Sequence, residues 1–350
     1  MEIVSKIRNY RKIISNALQM EGENKYIFVW TFQLIIWYTR NTGGIIEFFL
    51  LKLNKKGNNL NAYLTEKLFK KTHNELNRIY HRILLEDKYA FDRILTAEEF
   101  PLAQMQVLVE HGNVWLLGKQ KVISLNRFLE NDISCFCKMY VSCGGKDIFK
   151  LDIVNGDIYV DNMQSTKSDL KKLFSTGRFV LQKTISQHEE LNKLNANCVN
   201  TLRIITIDSG DKVFVLGSFI RIGVGKSVVD NTAQGNLVCG INYDGTLFKE
   251  ASDHLSDKKW ITQHPDNGFV FEGFKIPYFT DSETLCILMH QAFHRFFIIG
   301  WDIAITDTGP VVIEGNPLND LLWLQILYGP IKDKFLRCAE GYRREYPDRT

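Results

Sequence analysis

The residues best suited to chemistry lie at positions 300–320, which read GWDIAITDTGPVVIEGNPLND. Two apolar runs flank Thr-Asp-Thr-Gly, the signature of two strands joined by a hairpin turn. Asp302 falls on the first strand, and Glu314 and Asn316 fall on the second. Side chains two apart on a strand share a face. With the turn near residue 308, Asp302 and Glu314 are expected to be cross-strand neighbours within a residue of register, their Cβ atoms about 5 Å apart. Carboxylates that close repel unless a cation neutralises them. Ile303, Ile305, Val312 and Ile313 are too apolar for an exposed ribbon, so the acids should lie near a core, where uncompensated charge is costly. Three oxygen ligands on one sheet face suit Mg²⁺, which fills its other positions with phosphate and water. The competing reading is an amphipathic hairpin whose polar side chains simply face water.

Other elements must position that hairpin. Residues 1–80 contain no proline and repeat apolar residues at helical spacing (Ile3, Val4, Ile7; Leu64, Leu68), so they read as helices. Asn-Thr-Gly-Gly at 41–44 and Lys-Lys-Gly-Asn-Asn at 55–59 punctuate them. A helix over 88–97 follows Asp87, and the loop holding Pro101 ends it. The texture then turns to short β-rich runs at 133–141, 148–154, 179–182, 202–207, 213–222, 237–241, 246–248, 301–305 and 311–314. Helical patterns are expected at 187–195, 282–298, 319–328 and 331–342. This is α+β organisation rich in hairpins, not regular βαβ alternation. No GxGxxG follows a strand and no GxxxxGK[ST] occurs, which removes Rossmann and P-loop nucleotide binding.

Composition sets the outer limits. An apolar fraction of 45% and a charged fraction of 24% over 350 residues are those of an ordinary globular protein with a sizeable core. Seven cysteines, at 135, 137, 143, 198, 239, 286 and 338, form no CxxC pair and sit mostly in apolar runs. They read as reduced core thiols of a cytoplasmic protein. The net charge of +3 is unevenly spread, since residues 1–80 carry 13 Lys and Arg against 6 acids. That region could meet an anionic carrier or, weakly, a membrane surface; a solvated basic helical face is the plainer reading. No nucleic-acid partner is indicated. The longest apolar run, residues 26–38, has 13 residues with Gln33 inside. It is too short to span a bilayer, which needs about 20 residues, and reads as a buried helix. It is also too far from the N-terminus for a signal peptide.

A strand Asp followed about twelve residues later by Val-Ile-Glu-Gly-Asn resembles the metal signature of the ATP-grasp superfamily. The wider text of residues 300–316 is similar to the sugar-transfer-associated ATP-grasp subgroup, with a likeness to alpha-L-glutamate ligase-like proteins. The resemblance runs over roughly residues 85–330. It implies an ATP-grasp fold, in which two α+β subdomains clamp ATP, preceded here by a helical N-terminal region. The implied boundaries are a helical region 1–84, a small segment 85–130, a nucleotide-binding subdomain 131–185, and a C-terminal subdomain with the metal site 186–350. ATP and two magnesium ions are the implied cofactors.

The resemblance also assigns the nucleotide half. Lys138 interrupts the run CFCKMYV, so it is either edge-exposed or aimed at the α/β-phosphates. The family follows this lysine with proline, whereas Met139 stands here, which loosens the register. Cys143-Gly144-Gly145-Lys146 matches the phosphate-covering glycine-rich loop, and is equally an ordinary hairpin turn. Residues 179–185, FVLQKTI, match the strand whose backbone near Gln182, Lys183 and Ile185 reads adenine. Arg203 and Arg221, with Asn231, match the family's γ-phosphate and catalytic positions, although Asn236 replaces a family glycine. Structural pairing with a nearby carboxylate is the alternative for each arginine. His264, in His-Pro-Asp-Asn-Gly, is expected to line the acceptor site or to make a local turn contact. His290 and His294 are one helical turn apart among phenylalanines and read as core or surface residues, not zinc ligands.

The implied chemistry is ATP-dependent, ADP-forming acyl activation. A small-molecule carboxylate takes the γ-phosphoryl group and an amine displaces phosphate, joining an amino acid, peptide or amino sugar in surface-polysaccharide or related biosynthesis. The partners implied are ATP, the carboxylate and amine substrates, and a sugar or carrier-linked glycan. A phosphotransferase on the same scaffold and a non-catalytic nucleotide-binding scaffold are the alternatives.

Overall fold

The computed structural model describes residues 27–39, 41, 43–53, 57–140, 148–225, 236–253, 260–319 and 321–349. Fifteen described strands form two antiparallel sheets. The first holds β1 (Met105–Glu110), β2 (Asn113–Leu116), β3 (Lys121–Ser124), β4 (Ile133–Met139), β5 (Ile148–Val154), β6 (Asp157–Val160), β7 (Met163–Ser165) and β8 (Arg178–Lys183), in the order β3-β2-β1-β8-β4-β5-β6-β7. The second holds β9 (Leu202–Asp208), β10 (Val213–Ile222), β11 (Leu237–Ile241), β12 (Leu247–Asp253), β13 (Trp260–Ile261), β14 (Ile298–Thr306) and β15 (Gly309–Asn316), in the order β13-β12-β11-β10-β9-β14-β15.

Alternation explains each sheet's covered faces. On β4, Cys135 and Cys137 point into a core with Phe174, Phe179, Leu181 and Leu151, while Phe136 and Lys138 point to the opposite face. The helix Lys167–Thr176 contributes Leu170 and Phe174 to that core. The second sheet is covered on both faces. Leu202, Ile204, Ile220, Ile299 and Trp301 pack with Leu285, Cys286 and Met289 of the helix Phe279–Ala292. Ile205, Ile207, Phe219, Val238 and Ile298 pack with Phe69 and Leu76 of the helix Glu66–Leu76, and with Phe335 and Tyr342 of the helix Lys332–Glu345.

A single extended segment, residues 101–104, joins the sheets. The segment before β1 pairs with the edge of β15 through Ala103 N–H to Val312 O (2.9 Å) and Val312 N–H to Pro101 O (3.0 Å). On its other side it meets the end of β8, where Gln182 Nε2 donates to Ala103 O (3.1 Å) and Lys183 N–H to Gln104 O (3.1 Å).

Several expectations need correction. The pattern at 187–195 yields only the single turn Glu189–Asn192, because Gln187, Asn195 and Asn200 bond one another and draw the chain into a loop. The helix expected over 282–298 ends at Ala292, and Ile298 already belongs to β14. The strands β1, β2, β3, β6, β7 and β13 were not foreseen; all but β1 are only two to four residues long, and β1 alternates MQVLVE without a strong flanking turn. The apolar run after Tyr26 is a helix, Ile27–Thr39, but it is not wholly buried. Trp37 is enclosed, whereas Phe32, Ile35 and Tyr38 are 64%, 53% and 64% exposed. Among the described residues no helix is long and apolar enough to cross a membrane.

Candidate functional site

The hairpin of β14 and β15 has the expected form. Asp302 stands opposite Glu314 and Gly300 opposite Asn316. The pairing then shifts, with Ile303 opposite Val312, so Ile313 is the extra residue of a bulge. The bulge keeps Asp302, Glu314 and Asn316 together although twelve residues separate the two acids along the chain. The neighbouring strands add what the sequence order hides. Asp302 lies opposite Arg203 on β9, and Arg203 lies opposite Phe219 on β10, two residues before Arg221. Five polar side chains from four adjacent strands therefore share one sheet face.

Their contacts are ionic. Arg203 Nε is 2.8 Å from Asp302 Oδ1, and Arg221 Nη2 is 2.9 Å from Asp302 Oδ2. Arg203 Nη2 reaches Oδ2 at 3.3 Å, and Asn316 Nδ2 donates to the same oxygen at 3.4 Å. Arg221 also donates through Nε (3.0 Å) and Nη2 (2.8 Å) to Thr201 Oγ1. Asp302 is only 3% exposed. Burial pushes its carboxyl up, but the Arg203 and Arg221 charges and a bond with Glu314 outweigh that and hold it below the ordinary carboxylate value. Charge neutralisation expected of a metal is here supplied by two guanidinium groups, and the structural-pairing alternative describes both arginines.

The donor set still fits a hard cation. Asp302 Oδ1 is buried and, although close to Arg203 Nε, receives no well-aligned hydrogen bond. Asn316 spends its amide nitrogen on Asp302, which leaves the amide oxygen as its ligand atom. Two carboxylates and one amide oxygen are the ligand types magnesium prefers. Among the described residues no group of three or more His, Cys, Asp and Glu gathers anywhere, so this face offers two carboxylates and relies on the Asn316 amide for a third oxygen.

Gly300 is required beside these side chains. A Cβ there would stand 1.9 Å from Asn319 Oδ1 and 3.0 Å from Arg203 Nη1. Asn319 is buried, donates Nδ2 to Asn316 O (3.3 Å), and its Oδ1 has no hydrogen-bond partner among the described residues. Sequence reasoning passed over Asn319; its spacing from Asn316 was the available signal.

The remaining predicted residues are scattered around this face. Lys138 is buried on the open face of the first sheet, opposite Val180 and Ile148. Gln182 is paired on both sides, with Met105 and Phe136, and Lys183 is bonded to Gln104, so their backbone lies within the sheet. Thr184, Ile185 and Ser186 follow outside any strand. Gly144, Gly145, Lys146 and Asn231 lie outside the described residues. His264 is buried with both ring nitrogens used within the protein. Nε2 lies 2.8 Å from Gly223 O, and Asp266 N–H donates to Nδ1 (3.3 Å). Asp266 Oδ2 accepts from Gly225 N–H (2.6 Å). His264 and Asp266 thus anchor the chain at 223–225. His290 is fully buried between Thr206 Oγ1 (2.7 Å) and Phe296 O (2.9 Å), as a core histidine should be.

Comparison with known proteins follows from this geometry. The family described as sugar-transfer-associated ATP-grasp matches residues 68–336. No curated protein matches. Among solved structures, N5-carboxyaminoimidazole ribonucleotide synthetase from Thermotoga maritima is 11% identical with a TM-score of 0.44, covering 80% of this chain and 56% of that one. D-alanine–D-alanine ligase from Bacillus anthracis is 12% identical with a TM-score of 0.39, covering 76% and 70%. Biotin carboxylase from Campylobacter jejuni, in a β-γ-ATP complex, is 12% identical with a TM-score of 0.44, covering 75% and 47%. The chain spans about half the length of the first structures it matches, 45% and 56%.

Proposed function

The chain belongs to the sugar-transfer-associated ATP-grasp family and has the ATP-grasp fold, and from that premise we propose that it is an ATP-dependent, ADP-forming carboxylate–amine ligase. One observation carries the reading. Arg203, Arg221, Asp302, Glu314 and Asn316 converge on a single face of the second sheet, a cation-binding set interleaved with an anion-binding set. A magnesium phosphate needs both.

Asp302, Glu314 and Asn316 would hold magnesium, which when bound neutralises the phosphate charge and orients the γ-phosphoryl group. Arg203 and Arg221 contribute planar donor forks beside those ligands. In the proposed chemistry a substrate carboxylate oxygen forms a bond to the γ-phosphorus while the bond from that phosphorus to the β–γ bridging oxygen breaks, releasing ADP. An amine then bonds to the acyl carbon, phosphate leaves with the former carboxylate oxygen, and the amine proton goes to solvent. Developing negative charge on the transferred group falls where the two guanidinium groups lie, so the chain's task is positioning and electrostatic stabilisation. Lys138, from the other sheet, would meet the α/β-phosphates, and residues after Lys183 would read the adenine edge. Gly144, Gly145 and Lys146 would cover the phosphates, and Asn231 would join Arg221. The family's association with sugar transfer favours a saccharide-linked carboxylate or amine, handled in the cytoplasm.

The test couples ADP release to trapping. With ATP, Mg²⁺, candidate carboxylates and hydroxylamine, the wild type should form a hydroxamate and ADP in equal amounts, and Glu314→Ala should do neither while remaining folded. ADP with a phosphorylated acceptor and no hydroxamate would make the protein a phosphotransferase instead.

A further inference from the structure

Three polar side chains of the N-terminal helical region are buried: His73, Asn77 and Arg82, at 1%, 0% and 9% exposure. Polar groups are buried when they are bonded, and these are bonded to one place. His73 Nε2 meets Pro317 O, and Asn77 Nδ2 donates to the same carbonyl (3.1 Å). Asn77 Nδ2 also donates to Ile298 O (2.8 Å), while its Oδ1 accepts from Phe297 N–H (2.7 Å) and Ile298 N–H (3.3 Å). One asparagine therefore staples the first residues of β14 to the residue that follows Asn316.

The histidine tautomer follows from its other neighbour. Arg82 Nη2 points at His73 Nδ1 (3.2 Å) and donates to Asn74 Oδ1 (2.6 Å), and its Nε donates to Asn77 O (3.1 Å). A guanidinium only donates. Nδ1 is then the bare nitrogen, and Nε2 carries the proton that goes to Pro317 O. Burial and the Arg82 charge both lower the His73 pKa and so favour this neutral form, against the bond to Pro317. Pro317 restricts the backbone of Asn316 before it, and Asn316 O is itself held by Asn319 Nδ2 (3.3 Å).

On the ligand reading above, we propose that His73 and Asn77 are positioning residues for the metal-ligand hairpin, acting through the Pro317 carbonyl on Asn316, with Arg82 fixing the His73 tautomer. An apolar contact would bury the helix Glu66–Leu76 as well as this network does, since buried polar groups add little net stability over well-packed hydrocarbon. What the network adds is direction: two donors aimed at one carbonyl next to a ligand. Residues that orient ligands in this way usually change metal affinity or activity by ten- to a hundredfold when removed.

The experiment compares four full-length proteins by calorimetric titration of ATP with Mg²⁺, each below its melting midpoint. His73→Leu removes the donor at similar volume and should weaken Mg²⁺-dependent ATP binding by roughly tenfold. His73→Gln, whose amide nitrogen can reach the Nε2 position, should restore it to within a fewfold. Leu76→Ala lies in the same helix and core but removes no donor to the Pro317 carbonyl, so it should lower the melting midpoint and leave affinity unchanged. Equal affinity in His73→Leu and wild type, or an equal loss in Leu76→Ala, would overturn the proposal. If the wild type itself showed no Mg²⁺-dependent binding, the ligand reading would fail. Amide exchange in the segments around 298–300 and 318–324 would then judge the clamp alone. Faster exchange there in His73→Leu than in Leu76→Ala supports it, and equal exchange overturns it.

Discussion

Replacing Asp302 by asparagine keeps its shape and removes its charge, and the structure fixes the direction of the effect. The carboxylate touches two guanidinium groups at 2.8 and 2.9 Å, whose side chains are 17% and 15% exposed. At an effective dielectric near 20, each contact contributes about 4 kcal/mol before desolvation. Desolvation of three charged groups offsets most of this, yet removing one partner leaves two buried cations facing each other. Breaking a buried pair costs about 3–5 kcal/mol, and the residual exposure of both arginines argues for the low end, about 3 kcal/mol. In a chain of 350 residues that lowers the melting midpoint by roughly 4 °C. The freed guanidinium groups should also bind inorganic pyrophosphate severalfold more tightly without metal, while Mg²⁺-dependent binding falls. Thermal melts with and without pyrophosphate, and with and without Mg²⁺, read all three effects. An unchanged or raised midpoint in Asp302→Asn would refute the claim that the carboxylate neutralises the two arginines.

Two further outcomes follow from the same coordinates. Burial pushes the His290 imidazole down to about 4. The unfolded chain therefore takes up the proton first, and stability falls as pH drops from about 6.5 towards 4, by about 3 kcal/mol in all; chemical denaturation at pH 7 and pH 4.5 should show a smaller difference in a folded His290→Gln variant. Gly300→Ala drives a methyl group against Asn319 Oδ1, a cost of about 1–3 kcal/mol. Because the severe overlap is with Asn319, with Arg203 Nη1 only at 3.0 Å, Asn319→Ala should recover most of that loss in the double variant, which a double-mutant cycle measures; simple additivity would count against the close approach.

The hairpin at the centre of the site was legible because its information is local. Alternation, the Thr-Asp-Thr-Gly turn and the spacing of Asp302, Glu314 and Asn316 lie within one stretch of chain, and the register came out within the bulge at Ile313. What joins Arg203 and Arg221 to Asp302 is strand order, with β9 lying between β10 and β14. No local pattern encodes that, so the sequence could offer phosphate binding and carboxylate pairing as alternatives without seeing that Asp302 is the carboxylate both arginines meet. The strands β2, β3, β6 and β7 were missed because three or four residues of mixed polarity carry too weak a period. His73 and Asn77 looked like ordinary polar positions of a basic helical region, and their partner Pro317 is more than 200 residues away in sequence. The helix Ile27–Thr39 reads as uniformly apolar, and only the fold reveals that Trp37 is buried while Phe32, Ile35 and Tyr38 are not.

The central claim is that one sheet face binds a magnesium nucleotide through Asp302, Glu314 and Asn316. Titration of ATP into the wild type and into Glu314→Gln, each with Mg²⁺ and with EDTA, tests it most directly. Glu314 is half-buried on the edge strand β15 and glutamine keeps its shape, so the substitution should spare the fold. The account predicts binding in the wild type that depends on Mg²⁺ and is lost in Glu314→Gln at an unchanged melting midpoint. Equal, metal-independent binding by both proteins would contradict it.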